Sequence, residues 1–67
     1  MNMLIDLRIK ELERAIKLEQ TELDRMAQML FEQGKKLYED AELISRSKKL
    51  DAMVNDLHRL KKALPPE

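Results

Sequence analysis

Apolar residues recur along the first half of the chain at Ile5, Ile9, Leu12, Ile16, Leu23, Met26 and Leu30. The steps alternate between four and three, and Glu19 occupies the one slot where another apolar side chain is due. This is the heptad pattern of a helix that buries one stripe. The interior has no Gly or Pro and is rich in Leu, Glu, Lys, Arg and Gln, all of which lose little side-chain freedom in a helix. A first helix is therefore predicted over about residues 3–32. Gly34 predicts its stop, because a residue without Cβ adopts the left-handed backbone of a helix terminus at no steric cost.

A second periodic segment follows. Asp40 is a good N-cap, and Glu42 lies in the first turn, where the helix dipole favours negative charge. The stripe then runs Leu43, Ser47, Leu50, Val54, Leu57, Lys61 and Leu64, widened by Ile44, Met53 and Leu60. These signals predict a second helix over about residues 41–64, with Pro65 and Pro66 preventing continuation. The turn spans 33–40, and its two sizeable apolar residues, Leu37 and Tyr38, are expected to pack against the end of the hairpin.

Two such helices with a short connection must fold back on each other to remove their stripes from water. The predicted fold class is thus all-α, a single antiparallel helical hairpin (helix-loop-helix) over residues 1–67. Counting outward from the turn sets Leu30 level with Leu43 or Ile44, Met26 with Ser47, Leu23 with Leu50, and Ile16 with Leu57. Helix 1 is the longer, so Met1 to Ile5 are expected to overhang without an intramolecular partner. A lone hairpin has a marginal core. Dimerisation into a four-helix bundle and docking onto another protein both satisfy it.

Composition narrows the function. A chain of 67 residues is one domain at most and too small to enclose a deep catalytic cavity. Thirteen basic and thirteen acidic residues cancel, leaving no long-range field to gather nucleic acid or anionic lipid. Residues 34–49 are locally basic, five against three, a modest excess that suits either a solvated turn or contact with an acidic partner. There is no Cys, hence no disulfide framework or thiolate site, and no run approaches the roughly 20 apolar residues of a membrane span. A soluble, cytoplasmic chain is expected, without nucleic-acid or membrane partners.

Candidate chemistry concentrates on the second helix, where Ser47 interrupts the stripe and Ser47, Asp51, Asn55 and His58 follow at intervals of four, four and three. They share one face beside the apolar seam. A metal site from Asp51, Asn55 and His58 lacks ligands from helix 1, which has no His. A Ser47–His58 nucleophilic pair is excluded by roughly 16 Å of helix axis between them. A third reading has Asp51 projecting into another protein's active site, flanked by Ser47 and Lys48 and anchored by Leu50 from the core side. Such an arrangement suits phosphoryl hydrolysis, in which placing an in-line water and offsetting charge is most of the work.

The order of a long amphipathic helix, a Gly-containing turn and the segment Ala41-Glu42-Leu43-Ile44-Ser45-Arg46-Ser47-Lys48-Lys49-Leu50-Asp51 resembles the stage zero sporulation regulatory protein E-like family. These are small two-helix aspartyl-phosphate phosphatases with a Ser-Gln-Glu-Leu-Asp signature in the second helix. Ser47, Leu50 and Asp51 match it, whereas Lys48 and Lys49 stand where the signature has Gln and Glu. Helix 1 carries a looser match at Gln20-Thr21-Glu22-Leu23-Asp24, which lacks the serine and precedes the turn. The resemblance implies that Asp51 is catalytic and that Ser47, Lys48, Lys49, Leu50 and Asn55 contribute to partner binding. It implies a phosphorylated response-regulator receiver domain as partner, in the control of sporulation. The chain itself is then expected to bind no cofactor, with Mg²⁺ supplied by the receiver. A non-catalytic coiled-coil or hairpin interaction module accounts for the heptads equally well, with Ser47 then setting register at some cost in stability.

Overall fold

The computed structural model describes residues 3–64. Helix α1 spans Met3–Glu32 and helix α2 spans Ala41–Lys62, joined by a connection that contains one 3-10 turn, Leu37–Glu39. The helices pack on each other as an antiparallel hairpin about 50 Å long and 16 Å across. The predicted all-α hairpin is the observed one. Helix α2 ends two residues before its expected limit at 64, at a C-cap on Ala63, whose N–H reaches the carbonyls of Arg59 and Leu60 at 3.1 Å. Pro65 and Pro66, expected to bar continuation, lie outside the described residues.

The end of α1 closes as Gly34 dictates. Its φ is +73°, the Gly34 N–H donates to the Phe31 carbonyl at 3.0 Å, and the Lys35 N–H donates to the Leu30 carbonyl at 2.9 Å. This pair of bonds is a Schellman closure, which satisfies carbonyls the helix leaves orphaned and turns the chain away from the axis. Helix α2 starts on Asp40, in extended backbone, whose carboxylate accepts from the Leu43 N–H at 2.8 Å. Arg59, Lys61 and Lys62 occupy its last turn, where positive charge complements the dipole.

The seam between the helices is thin. Ile9, Leu43 and Leu50 are its buried side chains, each with under a tenth of its surface exposed, and Leu12, Ile16, Leu23, Met26, Val54, Leu57 and Leu60 are half-buried. Glu19, the polar interruption of the stripe, is 16% exposed and reaches across to α2, where Arg46 Nη1 lies 3.4 Å and Lys49 Nζ 3.8 Å from its carboxylate. Lys61, the basic residue in the stripe of α2, approaches Glu13 at 3.9 Å. The charged slots of the two stripes, Glu19 and Lys61, thus form cross-helix ion pairs, while the polar slot at Ser47 does not. The Glu13–Lys61 pair agrees with the expected register, which sets Glu13 level with Leu60. The Glu19 pairs depart from that register, which sets Glu19 level with Val54, because Arg46 and Lys49 both lie nearer the turn than Val54. The expected overhang is also shorter: Met3 and Leu4 are exposed, Ile5 is half-buried, and residues 1–2 lie outside the described residues.

Candidate functional site

Ser47, Lys48 and Asp51 come together at the N-terminal half of α2, one helical turn apart on a segment whose backbone is anchored by Leu43 and Leu50 beneath it. Burial of these two leucines, each worth about 2 kcal/mol against exposure, holds the rotation of the helix. Positions 48 and 51 then point away from α1, and both side chains are exposed, while Ser47 on the edge of the seam is half-buried. A serine at this boundary has a hydroxyl that neither leaves the helix surface nor requires a partner in the core.

These residues line a shallow depression of about 350 Å³ together with Leu37, Tyr38, Leu43 and Ile44. Its wall comes from the connection, which the periodicity alone does not orient. Leu37 packs against the hairpin as expected, but Tyr38 does not: it is 72% exposed. The 3-10 turn at Leu37–Glu39 sets consecutive side chains on different sides, so only one of the two apolar residues is directed inward. Tyr38 instead stands beside Ile44 and the polar group at Ser47, Lys48 and Asp51. An aromatic ring with a polar tip next to an aliphatic residue and a charged pair has the makeup of a contact surface.

The other residues assigned by sequence fall elsewhere. Asn55 is exposed one turn beyond Asp51 on the same face and outside the depression. Lys49 is rotated toward α1, with its ammonium on Glu19, so the two adjacent lysines serve different sides of the helix. Leu50 is buried in the seam; it anchors α2 and is not available as a docking contact while the hairpin is closed. Arg46 is likewise engaged within the chain, by Glu19 and by Glu42 at 3.6 Å, and lines a separate depression with Glu22 and Arg25. Among the described residues, no group of three or more His, Cys, Asp or Glu is arranged to hold a metal ion, and no helix is long and apolar enough to cross a membrane.

The chemical capacity of the site is therefore small and open. It offers one carboxylate, one ammonium and one hydroxyl on a rigid helix, with apolar residues alongside. It has no enclosing wall, so a reaction here needs the second wall from a partner. Comparison with protein-family models, with curated proteins and with solved structures gives no match to this chain.

Proposed function

We propose that this chain is a small cytoplasmic phosphatase that docks on a phosphorylated receiver domain and hydrolyses its aspartyl phosphate, restraining the initiation of sporulation. The observation that carries the reading is the placement of Asp51: an exposed carboxylate on an anchored helix face, beside Lys48 and Ser47 and next to the apolar pair Tyr38 and Ile44. The match of Ser47, Leu50 and Asp51 to the phosphatase signature supports it.

In this reading Tyr38 and Ile44 seat the hairpin on the receiver, and Asp51 enters the acidic pocket that holds the acyl phosphate. Asp51 accepts a hydrogen bond from a water and aligns it with phosphorus, opposite the acyl oxygen. The water oxygen bonds to phosphorus, the acyl oxygen–phosphorus bond breaks, and the products are inorganic phosphate and the free receiver carboxylate. A carboxylate brought to a phosphoryl group raises the local negative charge, which Lys48 offsets in part. The remaining compensation is the receiver's Mg²⁺, a group of the partner. Lys49, whose ammonium lies 3.8 Å from Glu19, is assigned no part in the step.

Asp51→Asn tests the assignment. With helicity and receiver binding unchanged, the substitution slows dephosphorylation by at least about tenfold, the range of a lost positioning or general-base contact. Full retention of turnover removes Asp51 from the mechanism. The exposed Phe31 at the turn end of α1 favours the second reading, an interaction module without catalysis. In that case the hairpin binds its partner and the acyl phosphate decays at its unaided rate.

A further inference from the structure

Helix α1 carries a second heptad stripe that α2 does not cover. Leu4, Leu7, Glu11, Arg14, Leu18 and Thr21 follow at steps of three, four, three, four and three, and all are exposed. The three leucines are 79%, 54% and 73% exposed, which is unusual for a helix face turned to solvent. At 100° per residue this stripe lies on the far side of α1 from the seam of Ile9, Leu12 and Ile16.

We infer that this stripe pairs with the same stripe of a second copy, as an antiparallel α1–α1 contact with its two-fold axis level with residues 12 and 13. The occupant is settled by charge. In this register Leu7 of one copy meets Leu18 of the other, and Leu4 meets Thr21. Glu11 meets Arg14 on both sides of the axis, giving two symmetric ion pairs at the centre. A parallel arrangement sets Glu11 against Glu11 and Arg14 against Arg14. A shift of one heptad in either direction sets a leucine against a charged residue. The antiparallel register alone sets Leu7 against Leu18 and acid against base, with Leu4 against Thr21 at the ends, the self-complementarity that a two-fold interface requires. Arg14 forms no ion pair among the described residues, and Glu11 has only the exposed Arg8 at 3.8 Å, so neither is committed within the chain.

The contact extends over about 25 Å of helix axis, so association is expected in the micromolar range and not as an obligate dimer. It shares no residue with the depression at Asp51 and does not depend on the activity proposed for it.

Sedimentation equilibrium of the full chain tests the inference. The wild type should rise from the single-chain mass of 7.9 kDa toward twice that value as concentration reaches about 100 µM. Glu11→Arg and Arg14→Glu each bring like charges together twice and should weaken association by at least about tenfold, whereas the double exchange should restore it to within about threefold. Leu18→Gln, at an exposed position that leaves the hairpin seam intact, should also give a monomer, with helicity checked by circular dichroism. A wild type that stays monomeric, a dimer indifferent to Leu18→Gln or to the single exchanges, or a double exchange that fails to re-associate each overturns the proposed interface.

Discussion

The Glu19 carboxylate lies 3.4 Å from the guanidinium of Arg46, joining two helices at residues 27 positions apart in the chain. Lys49 approaches the same carboxylate from the next turn of α2. The one acidic residue in the apolar stripe of α1 is thus matched by two cations of α2. This bridge lies beside the segment that carries Ser47 and Asp51, and with Leu43 and Leu50 it fixes how far α2 is rotated.

The bridge trades stability for definition. Half-buried ion pairs give back much of their Coulomb energy as lost solvation, and an apolar residue in the same slot does as well or better. Glu19→Leu is expected to stabilise the hairpin by about 1 kcal/mol in urea unfolding, whereas Arg46→Ala should cost about 0.5 kcal/mol because that side chain is more open to water. A large loss of stability in Glu19→Leu would show that the bridge holds the fold and does more than set its register.

Asp40 sets the start of α2, since its carboxylate accepts from the Leu43 N–H. Asp40→Ala is expected to cost about 1 kcal/mol, with Asp40→Asn nearly neutral, because an amide oxygen can accept the same bond. Urea midpoints of the two variants check this. Equal losses in both would mean that the charge, through the helix dipole, matters more than the hydrogen bond.

On α1 the Arg25 guanidinium is hydrogen-bonded to the Glu22 carboxylate and lowers its pKa from the ordinary value. A carboxyl whose folded pKa is depressed stabilises the fold above its unfolded pKa, and that contribution is lost as pH falls through the folded pKa. Both groups are reached by solvent, so the effect on stability is small. It is readily visible in an NMR titration: Glu22 should titrate below its ordinary range, and Arg25→Gln should raise it. An unchanged Glu22 titration in that variant would remove the pairing.

The elements of this hairpin are legible in the sequence because each is coded locally. The four-three spacing from Ile5 to Leu30 gives α1, Gly34 gives its left-handed closure, and Asp40 gives the start of α2. The limits of legibility are those of pairing and direction. Glu19 looks like a gap in the stripe until Arg46 and Lys49 are brought opposite it. Tyr38 looks like packing material because periodicity says nothing about which way a side chain leaves a 3-10 turn. Lys48 and Lys49 look like a unit as neighbours in sequence, yet the 100° step between them sends one toward Asp51 and the other toward Glu19. The site assigned from sequence accordingly divides. Ser47, Lys48 and Asp51 share the depression, Asn55 extends their face, and Lys49 and Leu50 serve the seam.

The most direct measurement is the number of phosphoryl groups released per chain when a phosphorylated sporulation response regulator is mixed with a tenfold deficit of this protein, about one chain per ten receivers, in the presence of Mg²⁺. The account predicts that all of the acyl phosphate is hydrolysed, several turnovers per chain, at a rate lost in Asp51→Asn. Binding without acceleration, or release that stops at one phosphoryl group per chain, would contradict catalysis by this hairpin.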